Sequence, residues 1–513
     1  MPAIRWVCIS DLHLGALNSV LTSVHPDGDH VDQSSVSPVL SALCDALRAL
    51  SHGADPPQLV VLGDLFELAL CSTDDAAATF AHLMEHLRPG TADAAVAPVI
   101  RFLPGNHDHH LWSRARGDCY VDYMASVPLR QPLRPELHAT CLLPRNDTFR
   151  VRDRIVELMA ARADTAVPIT VEQSYPNMGL VDAAGAGVVV LSHGHFIEPL
   201  YRAMSMLDDI FERGADLPTV HSLEAENGAW IDFFWSSMGD SGDVSGWSRD
   251  LYESLQSDDA IDGEIKAIRR AIVKGRGSRV RKRIESVIIG GALLAAVKAS
   301  LRRERHVSEV LSKNADAGLL SFLSGPVSTQ IAEEIGTPRD VAFVFGHTHK
   351  PFVEHRLAPG LPGDIPVINT GGWVVDTPAA EPNKGASVVL IDEDLNVAVL
   401  RCYAQGTDLD DEIRFEAPEG QSTNPLVDDL RSRIDPSRDP WLALAHATTA
   451  IERERRMQLD KRLRSSAVRY DEIPRPDDRN SAQEPLWTSP GSPAVPPEAG
   501  STPPPAVAAE GRT

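Results

Sequence analysis

Cysteine is scarce and unpaired in this chain. The six thiols, Cys8, Cys44, Cys71, Cys119, Cys141 and Cys402, include no C-x-x-C pair, so neither a zinc ribbon nor a disulfide framework is indicated and a reducing cytoplasm is the natural setting. Long apolar runs are missing too. The longest stretch, Val287 to Val297, falls well short of the roughly 20 residues that span a bilayer. Met1 to Asp11 has no charged segment leading into an apolar one with a cleavage site, so no secretory signal is expected. Positive charge is also in deficit. Lys and Arg number 49 against 72 Asp and Glu, a formal net charge of −23, which argues against a whole-molecule role in binding nucleic acid, where affinity comes from neutralising phosphates.

What remains is ordinary for a folded globular protein: 513 residues, 43% hydrophobic and 24% charged. Five short, β-branched apolar runs recur, Arg5–Ile9, Leu59–Leu62, Val99–Leu103, Gly187–Leu191 and Val341–Phe345. With helical patterns between them, such as Leu40, Leu43, Leu47 and Leu50, they read as buried strands of an α/β fold. Each run ends in a polar cluster. Ligands of such sheets gather beyond the carboxyl ends of the strands, so the clusters are expected to converge.

Those clusters are Asp11-Leu12-His13, Gly63-Asp64, Gly105-Asn106-His107-Asp108, His193-Gly194-His195 and Gly346-His347-Thr348-His349. They combine carboxylate, amide and imidazole donors, a mixed set that divalent metals accept. Any one alone is as consistent with polar residues capping a helix after a strand; five in order at five strand ends carry the argument. In sequence order they match D-x-H, G-D, G-N-H-[DE], H and G-H-x-H. By these motifs the chain resembles the calcineurin-like metallophosphoesterase superfamily, over about Ile4 to Arg401.

The resemblance implies a four-layer sandwich, two mixed β-sheets flanked by helices. It implies that Asp11, His13 and His349 hold a first divalent metal, that Asn106, His193 and His347 hold a second, and that Asp64 bridges them. Mn, Fe, Zn or Co would suit these donors, with Mn favoured. The implied reaction is hydrolysis of a phosphate ester or pyrophosphate by a hydroxide shared between the metals. His107 matches the family's histidine that stabilises the transition state or protonates the leaving oxygen. Its acidic partner would be Glu67, where Asp is commoner. His195 is expected to touch substrate phosphate or to hydrogen-bond a ligand, and His109 and His110 to be ordinary solvated or core histidines. Asn369-Thr370-Gly371-Gly372-Trp373 reads as a turn near the metals.

The expected organisation is a core over 1–200 and 339–405, an inserted, mostly helical cap over 201–338, a charged, partly helical extension over 406–470, with Leu442 to Leu463 at helical spacing, and a disordered Pro-rich tail over 471–513. Trp230, Phe233, Phe234, Trp235 and Trp247 cluster in the cap. From Glu264 to His306 thirteen Lys or Arg stand against three Glu, a basic amphipathic stretch that would suit a membrane surface or a phosphorylated substrate as well as an ordinary cap helix. ISDLHLG, LGDLFE and the position of the cap are similar to the UDP-2,3-diacylglucosamine hydrolase-like subgroup, which would make the substrate small or lipid-linked. This chain departs from that subgroup in its length and in carrying His107 where Arg is usual. A cyclic-nucleotide phosphodiesterase or nuclease is the alternative enzyme, and a non-catalytic scaffold the alternative outside enzymes.

Overall fold

The computed structural model describes residues 2–51, 55–143, 150–205, 218–239, 310–406, 413–418 and 424–472. The basic stretch 264–306, Trp247 and the Pro-rich tail from residue 473 lie outside the described residues. The chain divides into one unit over Met1–Ala467 and a second over Val468–Thr513; the fold below is that of the first.

Alternation along the strands sets the layers. In β1 (Ile4–Ile9), Val7 and Ile9 belong to one hydrophobic cluster and Cys8 to another, as a period of two requires. Parallel pairing places Cys8 beside Val60 of β2 (Gln58–Val61), and β3 (Val99–Phe102) continues the sheet. Its remaining strands are β4 (Val151–Arg152), β5 (Thr170–Gln173), β11 (Gly385–Asp392), β12 (Val397–Ala404) and β13 (Arg414–Glu416), in the order β13-β12-β11-β1-β2-β3-β5-β4. The second sheet runs β6-β7-β8-β10-β9, from β6 (Asn177–Val181), β7 (Gly187–Ser192), β8 (Asp340–Phe345), β9 (Phe352–Leu357) and β10 (Asp364–Asn369). Both sheets are mixed.

Cys8, Val60 and Val389 from the first sheet meet Leu191, Val344 and Ile368 from the second in a single apolar layer. The sheets therefore pack face to face. The outer face of the first sheet is covered by α1 (Pro38–Leu50), α2 (Thr73–Leu87), α4 (Arg154–Ala160) and α8 (Pro425–Arg433). Ser37, Ser72, Asp153 and Asn424 cap these helices, each side chain accepting a first-turn N–H. Val190, Phe343 and Val367 on the outer face of the second sheet pack with Leu319 and Phe322 of α6 (Lys313–Phe322) and Ile331 of α7 (Ser328–Glu334). The result is helix, sheet, sheet, helix.

The inserted segment supplies α5 (Val220–Gly239), α6, α7 and the π-helical turn Leu323–Val327 between the last two. Helix α5 packs on α3 (His109–Ser126), which follows the cluster at the end of β3. The last helix, α9, runs from Trp441 to Glu472. Arg455 on α9, 2% exposed, donates to the carbonyls of Ser19 and Thr22 at 3.2 and 2.7 Å and so ties the helix to the loop after β1.

Candidate metal centre

The loops after β1, β2, β3, β7 and β8 bring the predicted residues together, although the first three strands and the last two lie in different sheets. Their backbones are unusual. Asp11, His13, Asp64, His347 and His349 have φ of 51°, 45°, 48°, 72° and 56°, five of the eight non-glycine residues with positive φ among those described. Each such residue costs on the order of 1 kcal/mol or more and persists only where its surroundings over-determine it. Here the loops brace one another: Asp11 N donates to Gly63 O at 3.0 Å, His13 N to Asp64 O at 2.9 Å, and Gly346 N to His193 O at 2.9 Å. Glycine before Asn106 and His347 answers a packing need, since a β-carbon at Gly105 would collide with Asp64 Oδ1 and one at Gly346 with the Asp11 carboxylate.

The imidazoles are held from behind and aimed inward. His193 Nδ1 lies 2.8 Å from Leu62 O, His13 Nδ1 lies 2.8 Å from Glu67 Oε2, and His349 Nδ1 lies 2.7 Å from Asp376 Oδ2. With Nδ1 as the donor in each, Nε2 is the atom left to face the cluster. His193 Nε2 comes to 3.1 Å from Asn106 Oδ1 and 3.5 Å from Asp64 Oδ2. His13 Nε2 comes to 3.7 Å from Asp64 Oδ2 and 3.3 Å from His349 Nε2, which is itself 3.3 Å from Asp11 Oδ1. Three sets of ligand atoms converge within 4.8 Å among the described residues: Asp11 with His13 and His349, Asp64 with His193 and His347, and His13 with Glu67 and His107.

Crowding of buried acids and imidazoles perturbs their protonation. Burial holds His193 down to about 3, so its neutral, ligating form prevails. Its Nε2 lone pair then faces the oxygens of Asn106 and Asp64. Burial, with the charges of Asp108 and Asp11 adding to it, pushes the Asp64 carboxyl well above the usual range. Burial opposes charge on His349 too, but Asp376 and Asp11 outweigh it and raise the group to about 10. A divalent ion fits such a site: carboxylate, amide and imidazole donors from five loops come together there, and six of the seven predicted residues fall in groups whose ligand atoms lie within 4.8 Å of one another.

Glu67 serves two histidines at once. Its Oε1 lies 2.7 Å from His107 Nδ1 while Oε2 holds His13. Burial raises the carboxyl, yet the charge of His107 and the bonds from both rings bring it down to about 2. Burial lowers His107, and the pull of Glu67 only partly offsets it. Asp108 accepts from the backbone N–H groups of Leu65, Phe66 and Gly105, locking the second and third loops together. The turn at Asn369 does the same for the others: Asn369 Nδ2 donates to Gly346 O at 2.6 Å and Trp373 N to Asp11 O at 2.9 Å.

Three participants escaped the sequence reading. Asp376, behind His349, is also 3.5 Å from Lys384 Nζ. Glu198 Oε1 lies 3.2 Å from His347 Nε2. Trp235 of α5 lies against His107, ring centroids 4.0 Å apart, so the inserted segment reaches the site. Neither carboxylate belongs to a short motif, and Trp235 stands in a run of aromatics with no positional signal. His195 stands behind His193, its Nε2 3.0 Å from Tyr175 Oη, and lines neither cavity that reaches the cluster. His109 is a buried core histidine, 2.8 Å from Asp232 Oδ1 and 3.1 Å from Glu224 Oε2.

Compared with known protein families and with curated proteins, the chain matches none.

Proposed function

We propose that the protein is a metal-dependent hydrolase of phosphate esters or pyrophosphates. Within that class, its motifs and two-sheet sandwich favour a calcineurin-like metallophosphoesterase. The observation that carries this reading is the inward convergence of the Nε2 atoms of His13, His193 and His349 with the oxygens of Asp11, Asp64 and Asn106. Two divalent ions, held by Asp11, His13 and His349 and by Asn106, His193 and His347 with Asp64 common to both, would supply Lewis acidity and an acidified water.

The chain's own residues do the rest. Glu67 fixes the proton of His107 on Nδ1, which leaves Nε2 to handle a proton at the leaving oxygen or to stabilise charge on the phosphoryl group. His107 N, donating to Asp64 Oδ1 at 2.9 Å, orients the shared carboxylate. Trp235 shields His107 from bulk water, which strengthens the electrostatics within. A scaffold that had lost turnover would not need His107 poised on a carboxylate beside an intact donor set, so the enzyme reading is preferred. No described helix is long and apolar enough to cross a membrane; with six free thiols, three of them buried, we place the protein in a reducing cytoplasm.

The test is hydrolysis of bis-p-nitrophenyl phosphate and p-nitrophenyl phosphate with and without added Mn. Turnover that a chelator abolishes and Mn restores is expected. Turnover indifferent to the chelator would contradict the proposal.

A further inference from the structure

Two cavities reach the cluster, and they share His107, His349 and Asp376 as a common wall. The smaller, about 120 Å3, touches Asn106 and His347 and is lined by Lys350, Lys384, Tyr201 and Trp235. The larger, about 320 Å3, touches His13 and Glu67 and is lined by Leu17, Asp29 and Val31 of the loop after β1, by Asp75 of α2, and by Leu459 and Arg462 of α9. The scissile bond of any substrate must sit at the cluster, so the two cavities give its two sides somewhere to go.

They also differ in charge. The first places two buried lysines, Lys350 and Lys384, among the carboxylates of Asp64, Glu198 and Asp376, with Lys384 Nζ 3.5 Å from Asp376, and is the less acidic of the two. In the second, carboxylates and apolar side chains predominate, which suits an uncharged organic substituent.

The wall of the larger cavity is built rather than incidental. Arg455 is buried against the loop, Lys461 Nζ donates to Asp27 O at 3.2 Å, and Arg462 Nη1 donates to Gly28 O at 3.1 Å. These bonds hold α9 across the loop and leave Leu459, 3% exposed, in the cavity wall. A monoester has a single organic substituent and would leave one cavity without an occupant. A diester or pyrophosphate fills both.

Building on the phosphoesterase reading, we propose that Leu17 and Leu459 line a specificity lobe for one substituent of a phosphodiester or pyrophosphate. The more anionic half of that substrate lies toward Lys350 and Lys384. Helix α9, which stands outside the sandwich, is then part of substrate selection.

The test compares Leu459→Trp and Leu17→Trp, which narrow the lobe from α9 and from the loop after β1, with Met457→Trp, which adds the same bulk at an exposed position of the same helix. Relative to wild type, the ratio of kcat/KM for bis-p-nitrophenyl phosphate to that for p-nitrophenyl phosphate should fall about tenfold or more in both lobe variants, and stay unchanged in Met457→Trp. Binding is read separately, by calorimetric titration of His107→Ala protein with bis-p-nitrophenyl phosphate. Adding Leu459→Trp or Leu17→Trp should raise Kd by about the same factor. A ratio and a Kd that neither lobe variant moves, or that Met457→Trp moves equally, overturn the lobe. Metal-dependent hydrolysis with an unmoved ratio fells the lobe alone; lobe-dependent binding without hydrolysis of either ester fells the phosphoesterase reading and leaves the lobe standing.

Discussion

Asp376 illustrates how much of this site lies behind the residues that face its centre. Its carboxylate takes the Nδ1 proton of His349, fixing which ring nitrogen turns inward, and Lys384 offsets its charge. Burial raises the acid, but His349 and Lys384 outweigh burial and hold it well below the usual carboxylate range. Asp376→Asn should therefore weaken metal affinity about 10- to 100-fold while leaving the rate at saturating metal far less changed. Activity titrated against free Mn distinguishes this from a general loss of folding, which excess metal would not rescue. The seven donors were legible because each sits in a short motif at a strand end. Asp376 and Glu198 were not, because their roles depend on two loops approaching from far apart in sequence. Glu67 falls between: its spacing from Asp64 suggested a partner for His107, but its hold on His13 required the structure.

The elements divide between those that order the cluster and those that cover it. Strands β1, β2, β3, β7 and β8 were readable from apolar runs, to within a residue or two at their ends. Which of them belongs to which of the two expected sheets was not. Strands such as β4, two residues long, and β13, three long, carry no periodicity of their own and exist because a neighbour offers an edge. Helix α9 was legible as a helix but not as a wall of the site. Arg455 is its most buried polar anchor, beside Lys461, Arg462 and the core contacts of Trp441 and Leu444: Arg455→Met would leave the carbonyls of Ser19 and Thr22 without their donor, at a cost of about 2 kcal/mol. A lowered urea midpoint would register it, and an unchanged midpoint would mean that α9 is held by other contacts.

Helix α5 is anchored differently. Burial resists a charge on His109, yet Glu224 and Asp232 overcome it and raise the group to about 10. Because this lies above the ordinary histidine value, the stabilisation is complete below about pH 6.5 and is lost as pH rises through about 10. The thermal midpoint of the wild type should fall more steeply from pH 7 to 10 than that of His109→Gln. Parallel profiles would contradict the assignment.

At the scale of the whole molecule, a chain of net charge −23 concentrates buried carboxylates and imidazoles at one end of a two-sheet sandwich. Left-handed backbone at five of these residues and imidazoles with their Nε2 atoms turned inward bring the groups to one place. The inserted helices and α9 enclose that end from two sides, and the cavities they form are where selectivity would reside. The order of motifs along the chain foretold which residues gather at the site far better than its enclosure, since a pocket wall is a property of packing and leaves no spacing to read.

The most direct measurement is metal stoichiometry by equilibrium dialysis against Mn, in wild type, Asp64→Asn and His107→Ala. Two ions per chain are expected in the wild type and in His107→Ala, the latter with a rate lower by roughly 100-fold or more. Asp64→Asn should lose bound metal, because the common ligand is gone. Full occupancy in folded Asp64→Asn, or no bound metal in the wild type, would contradict the two-metal assignment.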